Sequence, residues 1–231
     1  MLDIQTIIYA LIGGVIPAFI WLAFWLYEDY KNPEPRGLIL KSFLMGMIAV
    51  VLVIPLQKIV DGVFPNMVII AIILWVVLEE VFKLGAGYLG GIKSREDNEP
   101  LDPLIYMITA ALGFVALENT LFVLGSIVNN NILEGVLTGN LRFIGASLLH
   151  VVSSGIIGTA LSFTFYQTKS IKRVVLVLAI ILATIFHTIF NILIIYKGST
   201  GGILAFGMSW IGVILLLVAF EKIKTIAPER Y

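Results

Sequence analysis

The sequence predicts an all-α, polytopic transmembrane helical bundle of about seven spans, and three observations predict it. Hydrophobic residues fill 59% of the 231 positions and charged residues only 13%; mean hydropathy is +1.03; and apolar runs of roughly 20 residues, long enough to cross a bilayer core as helix, recur along the chain. Water-soluble domains of this size are not composed that way. The formal net charge is zero, so the chain has no electrostatic footprint for nucleic acid. It has no cysteine, which removes disulfides, thiolate metal ligands and a cysteine nucleophile together.

Taken in order, the first span covers about residues 4 to 26. It begins almost at Met1 without a basic lead and is too long for a signal-peptide core, so it is expected to be retained. Gly13, Gly14 and Pro17 predict a kink within it, and Pro33 and Pro35 in the polar segment Tyr27 to Gly37 stop it outside the hydrocarbon. Further spans are expected at about 38 to 56, 67 to 90, 103 to 128, 140 to 166, 172 to 196 and 202 to 220. No connection exceeds about a dozen residues, and the main external one is expected around Asn129 to Gly135. The chain therefore reads as one integral-membrane domain, residues 1–231, with its polar motifs in a core of about 27–196. Eleven Lys and Arg lie on the side shared by the C-terminal tail and the loops after spans one, three and five, against three on the other side. Basic loops stay in the cytoplasm, so the N-terminus is expected outside and the C-terminus inside a cell membrane, as in a prokaryotic plasma membrane, with the lipid bilayer as surroundings.

The third span is the unusual one. Glu79, Glu80 and Lys83 interrupt an otherwise apolar helix, where an ionised side chain costs roughly 2.5–3.5 kcal/mol on insertion scales. Lys83 is four residues after Glu79 and three after Glu80, spacings that share a helix face, so one lysine can neutralise one glutamate. The other needs a partner from a different helix or a proton.

Three later spans supply candidates: Phe114, Glu118 and Asn119 on the fourth, His150, Ser153 and Ser154 on the fifth, and His187 and Asn191 on the sixth. The chain has two histidines, and both fall deep in apolar helices. Glu79, Glu118, His150 and His187 each lie roughly 9 to 12 residues from the outer end of their span, a spread of about one helical turn. Four helices thus present ionisable groups in one layer near mid-membrane. Ser154, Gly158 and Ser162 form a face of small residues that predicts close helix packing.

This inventory excludes some chemistries. Asp3, Asp29, Asp61, Asp97 and Asp102 fall in loops or at helix ends, so a pair of mid-membrane aspartates is missing. Neither histidine is followed by glutamate, so there is no His-Glu-x-x-His zinc motif. A serine hydrolase built on Ser153 or Ser154 with His187 would leave the glutamates unexplained. A buried glutamate, however, can take a proton from water as it attacks a carbonyl and return it to the leaving amine, while imidazole and amide donors stabilise the oxyanion.

The ordered set Glu79-Glu80-x-x-Lys83, Phe114-x-x-x-Glu118, His150-x-x-x-Ser154 and His187-x-x-x-Asn191 resembles the PrsW family of intramembrane glutamic proteases. The segment from Tyr27 to Arg36, running into Phe43-Leu-Met-Gly46, is similar to that family's N-terminal signature. The related CAAX prenyl endopeptidases and bacteriocin self-immunity proteins carry EExxxR and FxxxH, where this chain has Leu84 and Glu118. The resemblance implies an endopeptidase that cuts a membrane-anchored protein substrate, an anti-sigma factor in the best-known members, near the outer face. By the same resemblance, Glu79 and Glu80 would be the catalytic pair, one of them the base for water, and His150 would assist the water or polarise the substrate. His187 and Asn191 would hold the oxyanion, Glu118 would orient a histidine or replace a donor, and Lys83 would set the charge of its neighbours. Phe114, Asn119 and Ser154 would support these groups, and no cofactor is implied. Two other readings stay open: a hydrolase with zinc or another divalent ion on Glu79, Glu118, His150 and His187, and a proton-coupled transporter using mid-membrane acids and histidines.

Overall fold

The computed structural model describes residues 4–129 and 145–227, and among them every regular element is helical. The helices are α1 (Ile4–Glu28), α2 (Arg36–Val63), α3 (Val68–Gly87), which widens into a π turn at Tyr88–Ile92, α4 (Asp102–Asn129) and α5 (Ala146–Phe163). Helical hydrogen bonding then runs from Lys169 to Ile223, but this stretch is two spans, α6 (Lys169–Tyr196) and α7 (Thr200–Ile223). A Cβ at Gly212 would lie 3.4 Å from the Phe186 ring, whereas 26 residues of straight helix separate their ends by roughly 39 Å. The chain therefore doubles back between them. Asn129, expected to open the external loop, closes α4; the rest of that loop and Arg142 lie outside the described residues, as does Arg230.

Six helices, all but α3, are long and apolar enough to cross a membrane by length and composition. The expected seventh span, α3, is present as a 20-residue helix but stands apart because Glu79, Glu80 and Lys83 occupy it. The second span extends past the expected residue 56 to Val63, carrying Lys58 and Asp61 as helix.

The core is organised around α4, which is buried on every side from Asp102 to Ala116, as expected of a helix apolar all round. At its first residue the Asp102 carboxylate fastens the preceding turn to the helix by accepting hydrogen bonds from the amides of Asn98 at 2.7 Å and Glu99 at 2.9 Å. Trp25 of α1 and Phe220 of α7 meet nearby in the same core, ring centroids 5.8 Å apart. Helices α2 and α4 touch backbone to backbone through a reciprocal pair of glycines. A methyl at Gly46 would strike the Ala110 carbonyl, and one at Gly113 would strike the Phe43 carbonyl. Gly46→Ala and Gly113→Ala are each expected to cost about 1–3 kcal/mol through overpacking, read as a lower thermal midpoint in detergent. The predicted small-residue face of α5 also packs: Ser154 and Ser162 are fully buried, and Gly158 lies against Leu104 and Met107 of α4.

At the end of the bundle where α1 gives way to α2 and α3 to α4, Asp29, Glu34, Asp97 and Glu99 gather around Asp102. Tyr106 donates to Glu34, and Asn32 to Glu99 at 3.0 Å. Burial, reinforced by the carboxylates of Glu99 and Asp102, pushes Asp29 up to about 7. Burial and a hydrogen bond with Asp102 push Glu34 up to about 8, and burial beside Asp102 brings Asp97 to about 7. Unfolded carboxyls titrate near 4, so the folded chain holds these protons more tightly. The resulting stability is complete below about pH 4 and is lost as pH rises through 7 to 8. The thermal midpoint is expected to fall between pH 5 and pH 8, and Glu34→Gln to flatten that dependence.

Candidate active site

The polar residues of α3, α4, α5 and α6 meet. Lys83 is wholly buried, and its ammonium has three N–H bonds with three acceptors around it: Glu80 Oε1 at 2.7 Å, His150 Nδ1 at 3.0 Å and Ser153 Oγ at 3.3 Å. Its charge also sits 5.5 Å from the centroid of the Phe114 ring. The i, i+3 relation expected for Glu80 and Lys83 is thus the one that forms the pair, within α3, while the contacts of Lys83 to His150 and Ser153 tie α3 to α5.

His187 of α6 lies between the two glutamates. Its Nδ1 is 2.7 Å from Glu80 Oε1, and its Nε2 is 3.6 Å from Glu79 Oε2. Its ring meets that of His150 edge to face, centroids 5.0 Å apart. An ammonium can only donate, so with Lys83 at Nδ1 the proton of a neutral His150 resides on Nε2, which faces Glu118 Oε2 at 3.3 Å. Phe114 packs on the other side of this imidazole, 5.4 Å between centroids.

The two glutamates are held differently. Glu80 Oε1 takes both Lys83 and His187, and its side chain is wholly buried. Glu79 Oε1 accepts a 2.8 Å hydrogen bond from Gln57 Nε2 of α2, while Glu79 Oε2 makes none. Glu79, Glu118, His150, His187 and Asn191 all line a cavity of roughly 790 Å³, together with Gln57 and Trp75. Its apolar walls extend past Phe122 and Ile195 to Asn129 and Ala146, the end of the bundle where α4 stops and α5 starts. Glu80 is not part of that lining.

Other expected supporting residues stand further off. Asn119 Nδ2 turns to Ser147 Oγ at 3.4 Å. Ser154 is buried beside the site with its hydroxyl unbonded, and it is Ser153, three residues after His150 rather than four, that meets Lys83. Gln57 and Trp75 were not expected. The available signal was the Gln57 amide, one residue past the expected end of the second span at about residue 56.

Three side chains also make a candidate metal centre. Glu79, His150 and His187 each offer one ligand atom, all within 4.8 Å of one another. Two imidazoles and one carboxylate suit zinc in kind, and Glu80 behind His187 is the carboxylate backing such ligands use. The residues fit, with one condition: ligation through Nε2 of His150 requires Lys83 to release its proton or its contact with Nδ1.

Residues 34–220 match the model of a family described as PrsW family intramembrane metalloprotease. Among curated proteins, the chain is 26% identical over 219 residues to Protease PrsW of Halalkalibacterium halodurans, covering 93% of this chain and 95% of that one. It is also 26% identical over 220 residues to Protease PrsW of Geobacillus kaustophilus, covering 92% and 89%. Over 127 residues, 54% of this chain and 58% of the relative, it is 24% identical to Protease PrsW of Bacillus subtilis. No solved structure matches the chain.

Proposed function

The chain belongs to the PrsW family of intramembrane proteases, and on that footing we propose that it cuts a membrane-anchored protein with Glu79 as the base that activates water. The observation that carries this reading is the place of Glu79 on the cavity wall: each glutamate has one oxygen without a hydrogen bond, but of the two it is Glu79 that lines the cavity, with its other oxygen fixed by Gln57. Glu80 is spent on Lys83 and His187.

In the proposed reaction Glu79 takes a proton from water as the water oxygen bonds to the substrate carbonyl carbon. The oxyanion accepts from His150 Nε2–H, which Lys83 fixes in that tautomer and Glu118 aims, and Asn191 completes the donors, while His187 gives its Nδ1–H to Glu80. The C–N bond then breaks, and Glu79 passes its proton to the leaving amine, which restores the carboxylate. With the N-terminus outside, as the loop charges favour, the cavity's far end lies at the outer face of the cell membrane. A substrate would present its scissile bond from there.

A second reading rests on the proximity of Glu79, His150 and His187 and on the family's description. Those three residues would hold a divalent ion, which would supply a water already acidified for attack. The two readings separate on purified protein in liposomes: cleavage that persists after exhaustive chelation, with substoichiometric metal content, supports the carboxylate base. Loss of cleavage on chelation, restored by one equivalent of zinc, replaces it with the metal centre. The substrate is sought by comparing membrane proteomes of cells carrying the parent and Glu79→Gln. Single-pass proteins should accumulate uncut with the variant, and matching proteomes would remove the assignment of Glu79.

A further inference from the structure

We infer that Gln57 is a positioning residue for the reaction, holding the Glu79 carboxylate in place through its side-chain amide; this rests on the reading of Glu79 as the base. Gln57 lies in α2, which contributes no ionisable group to the site. It is nonetheless clamped from both ends by residues one turn apart on α3. Its Nε2 donates to Glu79 Oε1 at 2.8 Å, and its backbone carbonyl accepts from Trp75 Nε1 at 3.2 Å. Residues i and i+4 of a helix share a face, so Trp75 sets the height of Gln57 and Gln57 sets the rotamer of Glu79. Both Gln57 and Trp75 line the cavity beside Glu79.

The amide suits a base that gains and loses a proton in each turnover. While Glu79 is a carboxylate it can only accept, and the NH₂ of Gln57 serves it. Once Glu79 holds the proton from water on Oε2, Oε1 is a carbonyl oxygen that still accepts, so the same NH₂ serves both states. An ionised carboxylate at this position would repel Oε1 in either state, and a lysine's charge would hold Glu79 ionised and weaken it as a base. The amide therefore keeps Glu79 Oε1 anchored through both halves of the cycle and leaves Oε2 to meet water and leaving group.

The test uses the full chain in liposomes and, as substrate, the single-pass protein that accumulates uncut with Glu79→Gln. Gln57→Met keeps the length and removes both hydrogen-bonding groups. It is expected to lower kcat about 10- to 100-fold, the loss typical when a supporting contact to a reacting group is removed, with KM and thermal midpoint at parent values. Gln57→Glu supplies a readout that packing alone would not move. Its protonated form can donate to Glu79 and its ionised form repels it, so its activity relative to the parent should rise as pH falls. Cleavage by Gln57→Met at the parent rate overturns the inference, as does a kcat loss matched by a lower thermal midpoint with no gain for Gln57→Glu at low pH. If Glu79→Gln itself cleaves like the parent, the base falls and Gln57 with it. If Glu79→Gln is inactive while Gln57→Met is not impaired, only the positioning role falls.

Discussion

Glu79→Gln is expected to lower kcat for cleavage of the membrane-bound substrate by about 10²- to 10⁴-fold, the usual contribution of a positioned general base, while KM and thermal midpoint stay near those of the parent. The amide fills the same space and can still hydrogen bond to Gln57, so the wall of the cavity is kept and only the ability to take a proton is lost. An equal fall in kcat and kcat/KM is the signature of a group that acts in the transition state alone. Glu80→Gln should behave differently. Glu80 answers the Lys83 ammonium and the His187 ring at once, so its neutral amide should disturb both activity and folding. Catalytic loss concentrated in the Glu80 variant, with Glu79→Gln cleaving at the parent rate, would reverse the roles given to the two residues.

The distinction between these glutamates was out of reach in the sequence, although their involvement was not. Hydropathy marks the helices because lipid admits no other open backbone, so each expected apolar segment has its helix in the described residues. The cost of burying Glu79, Glu80 and Lys83 singled out α3, and counting residues from span ends placed Glu118, His150 and His187 at the same depth. Depth does not give rotation. Whether Glu79 or Glu80 lines the cavity depends on how α3 is turned against α2 and α6, and periodicity in a helix apolar on every face does not report it. The same limit put Ser154 ahead of Ser153: i, i+4 spacing from His150 favours the former, but Lys83 approaches from the side of the latter. Gln57 was lost for another reason. Lys58 and Asp61 made the end of α2 look like a polar loop, yet the backbone continues as helix to Val63. The acidic assembly around Asp102 brings together segments some 70 residues apart, and nothing local in any of them announces the others.

Lys83→Met is expected to be the most destabilising single change in the bundle, by about 3–5 kcal/mol, because it leaves a buried carboxylate without its cation. Methionine is close to the lysine stem in length, so the packing against Phe114 is largely kept and the loss reports charge rather than volume. Glu80 would retain His187 alone, and the contacts that Lys83 makes to His150 and Ser153, which fasten α3 to α5, would vanish together. A double-mutant cycle isolates the ion pair. Adding Glu80→Gln to Lys83→Met removes the stranded charge and should recover more than half of the lost stability, whereas Glu80→Gln alone leaves a buried ammonium and should be costly too. Unfolding in mixed micelles by added SDS measures all four corners. Stabilities that simply add would mean that Glu80 and Lys83 are neighbours without being partners. Recovered stability without recovered cleavage is the outcome the mechanism requires, because the double variant still lacks the donor that sets the tautomer of His150.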